Sequence, residues 1–444
     1  MGPPGPRLKG KTMDILLLGS GGREHAIAVS LKRSSSCGTL YVAPGNGGTA
    51  SIAKNVSLDI TDGAAVTAFA REHNVGLVVV GPEAPLVAGV ADEVRAAGIP
   101  CFGPGAQGAQ LEGSKRFSKE FMVRHGIPTA AYEAFTEAEP ARAYVSERFA
   151  AGVGVLVVKA DGLAAGKGVV VAKDEPEALA AVDACFEGHF GAAGSTVVIE
   201  EGLTGPECSY LVFTDGRTMR PMATAQDHKR AYEGDRGPNT GGMGCYSPVP
   251  IVTEDEMAQM TAIMQKAVDG MAADGIDYRG VLYGGFMLTP QGPQVLEFNA
   301  RFGDPETQVI LPRLKTDLVD VMMACAERRL DEVELAWRPE WAVTVVLASK
   351  GYPLSYKKGF AISDVDKAEH MSGVTVYHAG TVLDDQGVLR TAGGRVLDVT
   401  AIGATFAEAR ERAYEAADVI SFDGKQMRLD VGQRAMNGRA AWEA

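Results

Sequence analysis

The chain has 444 residues, a formal net charge of -13, 46% hydrophobic residues and 7% aromatic residues. That length exceeds a single core and calls for about two to four domains. The acidic balance opposes non-specific nucleic-acid binding, no apolar run approaches the roughly 20 residues of a membrane span, and no signal peptide opens the chain. The six cysteines, Cys37, Cys101, Cys185, Cys208, Cys245 and Cys325, form no CxxC pair. They read as reduced, mostly buried thiols of a cytoplasmic protein, not as a disulfide frame or a zinc site.

Residues 1–12 (MGPPGPRLKGKT) lack periodicity and read as an expression leader, with Met13 as the native start. Strands and helices then alternate. Strands are expected at Asp14–Leu18, Leu40–Ala43, Gly76–Val80 and Ile99–Phe102, and helices at Glu24–Arg33, Asp62–Glu72 and Pro85–Ala97. That rhythm predicts a doubly wound parallel sheet over 13–113, with ligands where strands end and helices begin. Three turns lie at such ends, around Gly21-Gly22-Arg23-Glu24, Pro44-Gly45-Asn46 and Gly81-Pro82-Glu83. The first is not a complete dinucleotide fingerprint. Glu24 stands where the third glycine belongs, and the second strand ends without a ribose-binding acid. A dehydrogenase reading therefore fails. Free N–H groups before a helix still suit a phosphate, with Arg23 adding a charge-assisted contact. Gly21, Gly22, Arg23, Glu24, Asn46 and Glu83 are the candidate substrate contacts here.

A helix over Ser114–His125 precedes a unit at about 132–203, with the order strand, helix, strand, glycine-rich loop, strand, helix, strand. Its loop, Gly162-Leu163-Ala164-Ala165-Gly166-Lys167-Gly168, resembles a Walker A loop only loosely, because β-like flanks replace the required helix. A hairpin tip folding over a triphosphate fits better. Lys159 interrupts its apolar strand and needs an anionic partner. Val197-Val198-Ile199-Glu200-Glu201-Gly202-Leu203 ends another strand with two acids, and Glu207 follows.

From Cys208 to Phe298 long antiparallel strands are expected, with one helix near Asp255–Asp274. Asp227-His228-Lys229-Arg230 and the loop from Asn239 and Thr240 either hold a small zwitterion or acyl phosphate, or form solvated turns. The strand Gln294-Val295-Leu296 leads into Glu297-Phe298-Asn299-Ala300-Arg301. Residues two apart on a strand share a face. Glu297 and Asn299 thus present two hard oxygen ligands side by side, which suits Mg²⁺ completed by waters and nucleotide phosphates. A guanidinium next to such a metal suits phosphoryl transfer. Helices are expected near Pro305 and Asp317. Past Pro339 the chain reads as mainly β, closing with a helix over Phe406–Asp418.

Taken together, these motifs resemble the ATP-grasp superfamily, and within it the phosphoribosylamine–glycine ligase (glycinamide ribonucleotide synthetase) family. Arg301-Phe302-Gly303-Asp304-Pro305-Glu306-Thr307-Gln308 carries the resemblance, with Gly21 to Ala26 and Gln226 to Ala231. It spans about Met13 to Asp430. It implies a central ATP-grasp fold over 114–338, with its lid at about 132–203, and a C-terminal β-rich domain over 339–435. The implied reaction joins glycine to 5-phosphoribosylamine through a glycyl phosphate, yielding glycinamide ribonucleotide, ADP and phosphate in purine biosynthesis. The resemblance implies ATP with Mg²⁺ or Mn²⁺, small-molecule substrates, no nucleic-acid or membrane partner, and a monomer in the cytoplasm. It places Lys115 and Lys159 on the ATP phosphates under a lid of Gly166, Lys167 and Gly168. Glu200, Glu201, Leu203 and Glu207 go to adenosine, and Glu297 and Asn299 to the metal. Arg301, Asp304, Lys229 and Asp227 are the catalytic candidates, with Asn239 and Thr240 on substrate and Arg395 a further contact. The hairpin partner Tyr283–Leu288 offers no carboxylate for a second metal.

Overall fold

The computed structural model describes residues 12–162, 168–189, 191–436 and 438. The leader up to residue 11 and the lid residues Gly166 and Lys167 lie outside them.

The sheet order in the N-terminal part is Lys54–Asn55, Cys37–Pro44, Met13–Gly19, Val75–Val80, Cys101–Phe102, all parallel. Ile15 to Leu18 are fully buried, as expected of a strand covered on both faces. Strand order reverses between Met13–Gly19 and its neighbour Val75–Val80, so the turns after these two strands flank the crevice where doubly wound sheets bind ligands. Asp62 caps helix Gly63–Glu72 by accepting from Ala65 N at 3.0 Å. The expected helix Pro85–Ala97 is instead two, Glu83–Val87 and Val90–Ala96. Gly89, at φ +82°, makes the break. The short elements Thr49–Ile52 and Lys54–Asn55 and the helix Ala106–Gly113 had no periodic signal long enough to read.

The lid is an antiparallel sheet ordered Tyr132–Phe135, Val197–Glu201, Leu156–Ala160, Val169–Ala172. Helices Ala138–Ala150 and Glu175–Phe186 cover it and enclose a separate core around Val145, Val158 and Val182. The central sheet is ordered Met219–Pro221, Glu207–Thr214, Gly280–Thr289, Gly292–Asn299 and is also antiparallel. Helix Glu254–Ala273 buries Met260, Met264, Ala267, Val268 and Met271. That is the i, i+3/i+4 stripe of an amphipathic helix, and Thr253 and Glu256 close its start as a capping box.

The C-terminal sheet corrects one expectation. Its order is Gln226–Asp227, Gly244–Ser247, Trp341–Ser349, Arg395–Gly403, Val374–His378. Within 208–298, read as long antiparallel strands, the short strands Gln226–Asp227 and Gly244–Ser247 pair with the C-terminal part instead. Helix Phe406–Val419 lays Ala409, Ala413, Ala416 and Ala417 into the core shared with that part. Small side chains let it pack closely. Among the described residues, no helix is long and apolar enough to cross a membrane.

Candidate active site

A cleft of about 1240 Å³ opens where the N-terminal sheet, lid, central sheet and C-terminal part meet. Strand Gly292–Asn299 delivers Glu297 and Asn299 to its wall. Glu297 lies opposite Gly285 in the hairpin, whose missing side chain leaves that face open. Burial opposes ionisation of Glu297, but Lys229, Lys115, Lys159 and Arg301 outweigh it and hold the carboxyl at about 2. An anionic oxygen beside an amide oxygen fits a hard divalent cation. Among the described residues, no group of three or more His, Cys, Asp or Glu side chains could hold a metal.

Facing that edge, Lys159 Nζ lies 2.7 Å from Glu200 Oε1 and donates to Leu296 O at 3.2 Å. Glu200 also receives Lys119 Nζ, at 2.9 Å. Burial pulls the Lys119 ammonium down to about 8, with Glu200 acting against that. Lys119 donates to Thr129 Oγ1 at 2.7 Å, and Thr129 donates to Val295 O at 2.7 Å. The lid is thus tied to strand Gly292–Asn299 through a buried chain of polar contacts. Lys115 begins helix Lys115–Arg124, capped by Ser114, and lines the same cleft. Glu201 pairs with Arg148, and Glu207 with Lys229 at 2.7 Å. Leu203 and Gly168 line the wall, and Gly168 O accepts from Ala160 N at 2.8 Å.

Arg301 is clamped from the N-terminal side. Its Nη2 is 2.7 Å from Glu112 Oε1 and its Nε 3.5 Å from Glu83 Oε2. Glu112 also accepts Ala300 N at 2.8 Å, fixing the chain where it leaves strand Gly292–Asn299. Burial raises the Glu112 carboxyl and Arg301 works against the rise. Glu306 accepts from Ser209 and Tyr283 at 2.9 and 3.0 Å. Asp227 is pushed up to about 8 by burial, against the pull of Lys229, with Glu306 and Glu207 adding to the rise. Lys229 is held protonated, because Glu207 and Asp227 outweigh its burial. Asn239 and Thr240 line the cleft, and Thr240 Oγ1 donates to Lys229 O at 2.8 Å. Arg395 Nη1 donates to Asp304 O and Gly241 O, at 2.9 and 2.8 Å, joining the C-terminal part to both loops.

The glycine turn behaves differently from its sequence reading. Arg23 and Glu83 line the cleft, but Gly21, Gly22, Glu24 and Asn46 do not. Carboxylates already meet the start of helix Gly22–Lys32: Glu24 accepts Gly21 N at 2.7 Å and Asp304 accepts Arg23 N at 3.4 Å. A negative charge there satisfies the helix dipole as a phosphate would. A Cβ on Gly22 would overlap Asp398 Oδ2 and come within 2.7 Å of Gln308 Nε2. The glycine thus admits side chains of two other parts of the chain. Asn46 is a stitch, donating to Ser20 O at 2.8 Å and His378 O at 2.6 Å and accepting from Gly48 N and Thr49 N.

Family models for phosphoribosylglycinamide synthetase match the chain in order: the N domain at 13–112, the ATP-grasp (A) domain at 113–307 and the C domain at 342–434. The chain belongs to the phosphoribosylglycinamide synthetase family. It is 51% identical over 430 residues to the phosphoribosylamine–glycine ligase of Brucella melitensis, covering 97% of this chain and 100% of that protein. The Vibrio cholerae ligase is 52% identical over 429 residues, covering 96% and 99%. The crystal structure of the Thermotoga maritima ligase superposes with TM-score 0.82 at 33% identity, covering 94% of this chain and 99% of that one. The biotin carboxylase domain of 2-oxoglutarate carboxylase from Hydrogenobacter thermophilus, at 16% identity and TM-score 0.72, shares the fold.

Within this synthetase fold, sequence reading passed over Glu112, Lys119, Glu306 and Arg428. Lys119 carried a signal, lying one turn after Lys115 on a helix. Glu306 sat inside the quoted Arg301–Gln308 motif without a role. Glu112 and Arg428 act on partners far along the chain and left no local pattern.

Proposed function

We propose that this chain joins glycine to 5-phosphoribosylamine at the expense of ATP, through a glycyl phosphate. A glycine carboxylate oxygen attacks the γ-phosphorus and ADP leaves. The amine nitrogen then attacks the acyl carbon, phosphate leaves, and the nitrogen gives up a proton. One observation carries this reading. In a chain about half identical to phosphoribosylamine–glycine ligases over nearly its whole length, Glu297 and Asn299 face Lys159 and Lys115 across one cleft.

Lys115 and Lys159 hold the ATP phosphates, with Gly168, and with Gly166 and Lys167 assigned from the sequence alone, covering them. Glu200, Glu201, Leu203 and Glu207 receive adenosine. Glu297 and Asn299 hold Mg²⁺ or Mn²⁺, which would neutralise charge on the transferring phosphoryl group. Arg301 adds a fixed cation, oriented in advance by Glu112 and Glu83, so little reorganisation is needed during transfer. Asp227, Lys229, Asn239, Thr240 and Asp304 hold glycine and the incoming amine, while Arg23, Glu83 and Arg395 face the phosphoribosyl end. Six free thiols, five of them buried, suit the reducing cytoplasm.

The test is isotopic. With glycine labelled by ¹⁸O in its carboxylate, one label should appear in inorganic phosphate for each glycinamide ribonucleotide formed. Unlabelled phosphate alongside product would overturn the glycyl phosphate.

A further inference from the structure

Strands Arg230–Tyr232 and Arg236–Asn239 pair with each other and, among the described residues, with no larger sheet. An isolated two-stranded hairpin is marginally stable by itself. Yet this one runs between Asp227–Lys229 at its entry and Asn239–Thr240 at its exit, all on the cleft wall. Its tip places Gly234 at φ +68° and Asp235 at φ +52°, the left-handed region that a non-glycine residue enters only with support. That support comes from the segment after the last long helix. Arg428, 1% exposed, donates from Nη1 to Asp235 Oδ1 at 2.8 Å and to Arg230 O at 3.1 Å. Its Nε and Nη2 bind Asp430 at 2.7 and 2.8 Å, and Asp430 Oδ2 accepts Gly234 N at 2.8 Å. Gly432 N donates to His228 Nε2 at 2.9 Å. One guanidinium thus grips both the base and the tip of the hairpin.

We infer that Arg428 is a positioning residue, a brace from the C-terminal part that holds the hairpin so that Lys229 and Asn239 meet the substrate. Two carboxylates already match its charge, so it acts through the hairpin and not as a phosphate ligand. The inference rests on the ligase reading above, in which Lys229 and Asn239 hold glycine or the amine.

The test uses the full-length chain with Arg428→Met, Asp235→Asn and the pair. Asparagine tolerates the left-handed conformation, so Asp235→Asn removes the charge without new backbone strain and remains informative if Arg428→Met folds poorly. Each single change should raise KM for glycine or phosphoribosylamine by about tenfold, the scale of lost positioning. The double change should cost less than the sum of the two single ones, because both remove the Arg428–Asp235 bridge, while Arg428 also binds Asp430 and Asp235 also meets Arg434 at 3.1 Å. Calorimetric affinity for a non-hydrolysable ATP analogue should stay unchanged, and amide exchange over 230–239 should quicken in both single variants. Additive effects, a parallel loss of nucleotide affinity, or unchanged KM would overturn the brace. If the unaltered chain shows no glycine-dependent turnover, the ligase reading fails instead. Amide exchange then decides the brace alone: faster exchange supports it and unchanged exchange overturns it.

Discussion

Glu112, on the cleft wall, shows how a single carboxylate can hold two neighbours in place. It bonds Ala300 N and the Arg301 guanidinium together, so its removal should let both the strand end and the cation drift. Glu112→Gln keeps the size and one acceptor. We expect kcat to fall by about 10- to 100-fold with KM for ATP nearly unchanged, since small misplacements near the chemistry are costly. Steady-state kinetics with varied ATP checks this, and a rise in KM at constant kcat would contradict it. Asp398 makes a pH-dependent case. Burial and neighbouring Asp304 push its carboxyl up toward about 7, against Arg395 and Gln308. A carboxyl raised above its ordinary 3.8 in the folded state stabilises the fold while protonated, and that stability is lost as pH rises through the folded value. The Tm of Asp398→Asn minus that of the unaltered chain should therefore grow as pH rises from about 4 to about 7 and level off above that. A constant difference would contradict the assignment. Neither residue was visible in the sequence, because the partners of Glu112 lie 188 residues away and Asp398 reads as one polar residue inside an apolar strand. Glu297 and Asn299 were visible, because strand periodicity puts them on one face; Arg301 shares that face only if the strand continues, and the strand ends at Asn299.

At the scale of elements, the turn before helix Gly22–Lys32 is the instructive case. Its residue types fit an anion-binding helix start. The anions that meet it are Glu24 and Asp304, which local spacing could not supply. Gly22 is small because Asp398 and Gln308 pack onto it. Gly22→Ala should cost about 1–3 kcal/mol through overpacking, seen as a lower midpoint in urea unfolding. Adding Asp398→Ala should recover part of that loss, and a Gly22→Ala variant as stable as the unaltered chain would contradict the packing argument. The N-terminal strands were legible because runs such as Ile15–Leu18 are continuous and apolar. The split helix at Gly89 and the two-residue strand Lys54–Asn55 were not, since each is shorter than the window a periodicity needs.

Across the whole molecule, the cleft belongs to no single part. Strand Gly244–Ser247 lies within the C-terminal sheet, between Gln226–Asp227 and Trp341–Ser349, and Arg395 and Arg428 reach the cleft from beyond residue 340. Ending the chain after residue 340 would uncover the edge of Gly244–Ser247, an invitation to strand pairing between copies. We expect that truncation to be inactive and to aggregate, as light scattering would show; a monodisperse, active product would contradict the shared-sheet account. Such long-range pairing is what a reading in chain order misses, because register between distant strands leaves no local signal. The central claim is that a carboxylate and an amide hold a metal against the terminal phosphate of ATP while glycine is activated. Its most direct test is ADP release, measured with each of glycine, phosphoribosylamine, divalent metal and ATP omitted in turn, for the unaltered chain and for Glu297→Ala. The account requires turnover only in the complete mixture, and a loss on the order of a hundredfold or more in a folded Glu297→Ala variant. ADP release that persists without glycine, or a Glu297→Ala variant that keeps its rate, would contradict it.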